Sequence, residues 1–224
     1  MGNRESGISG RQLLLRFFLV YLLSRKRSPY YLNAMEKSLA HIIQTRRSVF
    51  PAQYTGIPIP HSEILTILDA ARWAPNHAKT QPWRFKVLQG HALGQLGDFL
   101  ADTYLSTADA KEFTSNKLRY TPRAASAIIL LFMERDVKER IPEWEEVAAV
   151  AMSVQNMWLT AHDLGYGSYW SSPKSFANMK QFEPINVGER ERFLGFFYLG
   201  TYDAVEQALP ERVEVEAFTQ FVGF

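Results

Sequence analysis

The sequence predicts an α+β domain, and three observations support this prediction. Residues 125–133 form a continuous apolar run of strand length with β-branched content, and residues 192–200 form a second apolar run. Such runs are typical of buried central strands. Between them, residues 147–161 contain no charged residue, no Gly and no Pro. Because their apolar residues are not confined to one stripe, we expect a helix that is buried all round, in a core or a subunit interface.

Composition and charge exclude several functional classes. The 224 residues suit one large domain, and a hydrophobic content of 46% allows a substantial core. The chain has no Cys, which excludes disulfides, thiolate nucleophiles and Cys-based metal sites, so redox chemistry would need a bound cofactor. The Lys and Arg residues after residue 34 are scattered and net charge there is −3. This argues against a nucleic-acid partner.

Residues 1–34 are expected to be an extension that is dispensable or disordered, with the domain at residues 35–224. The extension holds six basic residues and one acidic residue. Its apolar stretch, residues 12–23, is too short to span a bilayer and is interrupted by Arg16. Three interpretations stay open: a dispensable leader before a functional start at Met35, an amphipathic helix that binds a surface or partner, and a targeting segment.

The first helix is predicted at residues 36–45 and leads to Arg46, Arg47 and Ser48. Two guanidinium groups beside a hydroxyl suit a phosphate, because Arg donates hydrogen bonds in a fork that matches phosphate oxygens. A solvated helix end has the same composition, so both interpretations stay open for this triplet taken alone.

A second helix is predicted from Pro60 and ends before Pro75, since the residue before a proline avoids the α region. The loop at residues 76–82 then leads into the strand 83–88, whose alternation indicates one buried face. The loop is dense in hydrogen-bonding side chains and suits a flat polar ring. For His77 alone, a histidine bonded to backbone is the other interpretation. The helix residues expected to face inward are Ile64, Leu65, Ile67, Leu68 and Ala71.

The rest of the chain predicts helices within residues 91–121, a short strand at residues 166–170 and a short helix at residues 175–181. The apolar side chains at the C-terminus are expected to dock on a neighbour. They are Phe218, Phe221, Val222 and Phe224.

No metal site and no catalytic acid or base is predicted. The five His residues lack the spacing of metal ligands. The pair Gly165 and Gly167 follows a helix and lacks the third glycine of a dinucleotide-binding fingerprint. No hydrolase nucleophile motif is present.

Four separated blocks together resemble the nitroreductase superfamily of FMN-dependent oxidoreductases, in particular its short, single-domain members. Their order and spacing cover nearly all of residues 36–224. The blocks are Arg46-Arg47-Ser48, the segment AARWAPNHAKTQPW at residues 70–83, the helix and strand at residues 144–170, and FFYLGT at residues 196–201.

The resemblance implies a three-layer fold in which helices flank a central, mostly antiparallel sheet. It also implies an intertwined homodimer with two FMN sites at the interface, so that the uncharged helix packs on its mate. Arg46 and Ser48 would hold the phosphate end of FMN, and Arg47 the ribityl or ring-edge region. The chain departs from the family pattern at two positions. Many relatives carry a cation at the position of Phe50, and some short members carry an arginine at the position of Ser171. Without these cations, Arg47 would be the partner for the reduced flavin's negative charge.

The remaining cofactor-binding residues implied by the resemblance fall into two groups. The first surrounds the flavin from the loop, partly from the other subunit, and consists of Trp73, Asn76, His77 and Gln81. The second lies against the isoalloxazine and presents backbone N–H groups near its N5. It consists of Trp170, Ser171 and Ser172.

The resemblance further implies a cytoplasmic enzyme with a ping-pong mechanism. NADH or NADPH would give a hydride to bound FMN, and a small electron-poor acceptor such as a nitroaromatic or quinone would then take it. Two alternatives stay open: a flavoprotein of the same fold with another reaction, of the dehalogenase or flavin-degrading type, and a non-catalytic dimeric binding protein.

Overall fold

The computed structural model describes residues 38–173, 179–204 and 208–223. It contains five α-helices and four strands in these ranges. The helices are α1 Leu39–Thr45, α2 His61–Ala71, α3 His91–Leu105, α4 Glu112–Tyr120 and α5 Glu143–Asp163. The strands are β1 Trp83–Leu88, β2 Ala127–Glu134, β3 Gly167–Ser171 and β4 Glu191–Gly200.

The four strands form one sheet in the order β1-β2-β4-β3, and every pairing is antiparallel. Seven of the eight residues of β2 are buried. A fully apolar strand cannot sit at a solvated edge, so β2 lies between β1 and β4. The predicted central strands and antiparallel sheet are confirmed.

Helices cover both faces of the sheet, which gives the predicted three layers. Successive side chains of a strand point to opposite faces, and β2 shows this directly. Ile129 and Leu131 belong to a core formed with α2 and α5. Ile128 and Leu130 belong to a second core formed with α3. Two separate cores therefore hold the sheet between its helices.

Helix α5 differs from the expectation of a helix buried all round. Its buried residues face the sheet and α2, but Trp144 is exposed and Met152 is 40% exposed. The reason is that one chain supplies neighbours for only one side of the helix. The exposed side between residues 147 and 161 still has no charge.

The first turn of α5 is anchored by a buried carboxylate. Glu146 is fully buried, forms an ion pair with Arg135 and accepts a hydrogen bond from the Asp136 N–H at 2.9 Å. Arg135 also donates to the Ile141 carbonyl at 2.7 Å. Burying a charge is tolerable only with such partners, and these contacts fix where α5 begins.

Some expectations are corrected by the structure. Leu65 was expected to face inward but is 52% exposed, because α2 buries a stripe of only three residues (Ile64, Ile67 and Ala71). Of the predicted helix at residues 175–181, only the short 3₁₀ turn Met179–Gln181 lies within the described residues. The C-terminal Phe218, Phe221 and Val222 remain exposed on the single chain.

Two further predictions concern residues that the structure does not describe. The extension at residues 1–34 and Phe224 lie outside the described ranges. Within those ranges, no helix combines the length and the apolar character needed to cross a membrane.

Candidate active site

A cluster of cations lies where α1 ends. The guanidinium of Arg46 stacks on the indole of Trp158 in α5, with its Cζ 4.4 Å from the ring centroid. The Nη1 atom of Arg46 is buried and has no hydrogen-bond partner among the described residues. Burial, followed by the charges of Arg47 and Arg212, lowers the pKa of Arg46. The site therefore places positive charge in a partly desolvated position without a counter-charge.

Arg47 turns back toward the end of α1. Its Nη1 donates to the Gln44 carbonyl at 2.7 Å and to the Arg46 carbonyl at 2.9 Å, which satisfies carbonyls that the helix end leaves free. Neither Arg46 nor Arg47 has a carboxylate partner among the ion pairs of the described residues. With the exposed Ser48 hydroxyl beside them, this donor set fits a doubly charged phosphate.

The chain after this cluster runs beside the edge strand β3. The Val49 N–H donates to the Ser168 carbonyl at 3.0 Å, so the backbone of Ser168 points away from β4. In an antiparallel pair this direction alternates along the strand. Trp170, two residues on, therefore also points its backbone N–H away from β4, on the same edge as the cluster. This brings the Arg46–Ser48 group and the Trp170–Ser172 group to one edge of the sheet.

The side chain of Trp170 is fixed by β4. Its Nε1 donates to the Leu194 carbonyl at 3.3 Å. Gly195 has a φ of 144°, and a Cβ there would lie 2.5 Å from both the Ser171 carbonyl oxygen and Trp170 Nε1. Only glycine allows β4 to approach Trp170 and Ser171 at the end of β3 this closely. The conformation at this end of β3 therefore depends on a residue outside the predicted set.

The loop after α2 has its own internal support. The Asn76 Oδ1 accepts the Gln81 N–H at 3.0 Å, which closes the loop. Ala78, Lys79 and Gln81 all have positive φ, a conformation that non-glycine residues avoid and that is concentrated at functional sites.

The same loop contacts the start of α5. The His77 Nδ1 lies 2.5 Å from Glu145 Oε2, so His77 bonds to a carboxylate and not to backbone as in the alternative interpretation. Trp73, just before the loop, is exposed.

The predicted residues thus form two groups on one chain. Arg46 contacts Trp158 and His77 contacts Glu145, and these positions of α5 are separated by about 20 Å at 1.5 Å per residue. A single chain therefore does not bring the Arg46 cluster and the His77 loop to the same phosphate.

Two cavities of the described chain lie elsewhere. One, of about 220 Å³, is lined by residues of β2, β4 and the segment 179–187, and the other, of about 610 Å³, lies along the outer side of α2. Neither of these two cavities is lined by a predicted site residue.

The model of the nitroreductase family matches residues 43–201, a segment that contains all ten predicted site residues. The chain belongs to the nitroreductase family. The predicted family is thereby confirmed, and with it the class of oxidoreductases.

Individual relatives of this nitroreductase support the same assignment. YfhC of Bacillus subtilis (strain 168), named as a proposed NAD(P)H nitroreductase, is 27% identical over 184 residues, which are 81% of this chain and 93% of YfhC. The structure of a nitroreductase-like family protein from Bacillus cereus is 25% identical, with a TM-score of 0.71 over 83% of this chain and 96% of that one.

A third relative carries the cofactor. It is a proposed nitroreductase from Desulfovibrio desulfuricans, solved in complex with FMN. It is 24% identical and shares the fold, with a TM-score of 0.62 over 83% of this chain and 96% of that one. The predicted cofactors, FMN and NAD(P)H, are those named for these relatives.

Sequence reasoning missed three residues that interact with the predicted site residues of this nitroreductase. Arg212 lies in the polar C-terminal segment and is linked to Arg46 only through their charges in space. Glu145 is 68 positions from its partner His77. Trp158 falls within the helix predicted to be buried all round, and nothing in the sequence shows that Arg46 lies over its ring.

Proposed function

We propose that this nitroreductase is an FMN-dependent enzyme that moves a hydride from NADH or NADPH to a small electron-poor acceptor such as a nitroaromatic or a quinone. The observation that carries the proposal is the half-buried guanidinium of Arg46, which lies within the matched family segment, has a buried Nη1 without a partner among the described residues, and is close enough to Arg47 and Arg212 to feel their charges. Such a donor set needs an anion, and phosphate suits its geometry and charge.

The residues would divide the cofactor between them. Arg46, Ser48 and Arg212 would hold the phosphate, and Arg47 the ribityl or ring edge. The outward N–H of Trp170 on the β3 edge, with Ser171 and Ser172 after it, would face the ring. The side chain of Trp170 is held in place by its bond to Leu194.

When bound, FMN supplies the hydride chemistry, accepting from the nicotinamide and giving to the acceptor. The protein's part is to position the two partners and to exclude water. Phe50 contributes an apolar wall, because its ring packs on Tyr169 with centroids 4.6 Å apart. Because Phe50 carries no charge, Arg47 would be the residue that supplies positive charge to the flavin ring. No side-chain acid or base is assigned.

We also propose that two chains form the enzyme. Helix α5 exposes a side without charge on which Trp144, Ala148, Met152, Gln155 and Leu159 follow one another at helical spacing. The exposed apolar side chains within residues 213–222 offer more apolar surface. They are Val213, Val215, Phe218, Phe221 and Val222. A second chain packed on α5 would cover this side and bring its own Asn76–His77 loop toward the first chain's Arg46 cluster.

The compartment and the domain limits are part of the proposal. We place the enzyme in the cytoplasm because its proposed donors, NADH and NADPH, are cytoplasmic metabolites. Residues 35–224 would form the functional domain, since the ten predicted site residues all lie between positions 46 and 172.

The test is the visible spectrum of the purified protein followed by anaerobic stopped-flow mixing with each donor. We expect bound flavin that is bleached by NADH, NADPH or both, and whose colour returns on adding a quinone or nitroaromatic. Arg46→Ala, with its charge and donors removed, should lose most of the flavin. A flavin that neither donor bleaches would refute the reductase function.

A further inference from the structure

Two buried side-chain donors in the described chain lack a partner, and they belong to side chains that contact each other. They are Arg46 Nη1 and Trp158 Nε1. The guanidinium carbon of Arg46 is 4.4 Å from the centroid of the Trp158 ring. Buried polar groups in native proteins nearly always have a hydrogen-bond partner, so two neighbouring exceptions indicate one missing acceptor.

The direction of the Trp158 N–H is set by packing. The indole and the ring of Phe197 in β4 are nearly perpendicular, with centroids 5.7 Å apart and an interplanar angle of 76°, and Arg46 covers a face of the indole. The ring also packs against the core between the sheet, α2 and α5. Turning the indole to find another acceptor would break these contacts.

The acceptor must be rich in lone pairs and negatively charged. Indole N–H and guanidinium groups only donate, so neither can satisfy the other. No carboxylate of the described residues pairs with Arg46, and Arg47 and Arg212 add further positive charge. A phosphate offers three strong acceptor oxygens and up to two negative charges.

We propose that Trp158 is a further cofactor-binding residue, whose indole N–H donates to the same phosphate that Arg46 binds. This inference rests on the proposed function, in which that phosphate belongs to FMN. It adds a residue from α5 to a phosphate site otherwise built from the end of α1 and the C-terminal segment.

The test compares FMN with riboflavin, which has the same ring system without the phosphate. Full-length wild-type and Trp158→Phe proteins are stripped of flavin and titrated with each ligand by flavin fluorescence. Phenylalanine keeps an aromatic face for Arg46 but has no N–H. A hydrogen bond to a charged group corresponds to a change in Kd of roughly 10- to 100-fold. We expect this weakening for FMN and no more than about a twofold change for riboflavin.

The matched control is Trp83→Phe, because Trp83 packs against the same core and has no unpartnered buried atom. It should leave both Kd values unchanged. Equal weakening of FMN and riboflavin by Trp158→Phe would show a packing role and overturn the inference. An unchanged Kd of the Trp158→Phe protein for FMN would also overturn it. If this variant then formed a weaker dimer, the indole would donate to the partner chain instead. A wild-type protein that binds neither flavin would overturn the proposed function itself.

A second measurement does not require a substitution at Trp158. Labelling the five Trp residues with ¹⁵N gives one indole N–H signal for each. The signal that remains unassigned after Trp→Phe changes at the other four positions belongs to Trp158. It should move downfield on adding FMN and stay in place with riboflavin. Equal movement with both ligands, or none with FMN, would contradict a bond to the phosphate.

Discussion

A negative charge on the uncharged side of α5 should separate the two proposed subunits. Met152 is 40% exposed on the single chain and lies on that side. In a dimer, Met152→Glu would bury a carboxylate without a partner, which costs about 3–5 kcal/mol. Because each copy carries the change, the cost is about 6–10 kcal/mol per dimer, or at least about 10⁴-fold in the dissociation constant.

The control is Leu105→Glu, a similar exchange at a residue that is 50% exposed on α3, in the opposite layer. A surface substitution away from an interface changes stability by about 0.5 kcal/mol or less. Molar mass from light scattering and flavin content should therefore fall together for Met152→Glu and stay at wild-type values for Leu105→Glu. If Met152→Glu remained a dimer with full flavin content, the proposed role of α5 would be wrong.

The other predictions address the turn, the acid response and the extension. Gly195→Ala should lower stability by about 2 kcal/mol and release flavin, because its Cβ strains the positive φ and displaces Trp170; thermal unfolding and flavin content measure this, and an unchanged melting temperature would contradict it. The hydrogen bonds of Arg140 hold the pKa of Asp136 well below its usual range, so this stabilisation is complete above the unfolded pKa of about 4 and is lost as the pH falls through the folded pKa. Arg140→Gln should thus be less stable than wild type at pH 7 in urea unfolding, by a margin that shrinks below pH about 4; a constant margin would argue against this pair. Deleting residues 1–34 should leave the Kd for FMN unchanged, and a large loss of affinity would assign the extension a role in the site.

The central part of the fold could be predicted because its signals are local. The apolar run of β2 fits only a strand between two others. Pro75 sets a limit that the second helix cannot pass, since the residue before a proline avoids the α region, and the helix ends before that limit at Ala71. The position of Leu65 could not be predicted, since the width of a helix's buried stripe depends on neighbours distant in sequence.

The candidate site was predictable only in part for the same reason. Arg46 and His77 could be predicted because their side chains suit a phosphate and a polar ring, and because they lie in two of the four sequence blocks that resemble the nitroreductase superfamily. Their partners Trp158 and Glu145 come from one helix, α5, and are joined to them only by folding. The positive φ values of Ala78, Lys79 and Gln81 could not be predicted, because none of these residues is the glycine that usually marks this conformation.

Whether one flavin site is shared by two chains can be measured with mixed dimers. Differently tagged chains carrying either Arg46→Ala or the pair Asn76→Ala and His77→Ala are co-expressed, and the heterodimer is isolated through both tags. If the Arg46 cluster of one chain works with the loop of the other, the heterodimer has one intact site and should hold one FMN, while each parent dimer holds almost none. A heterodimer as poor in flavin as its parents would show that both groups serve the same chain, and the shared-site account would be wrong.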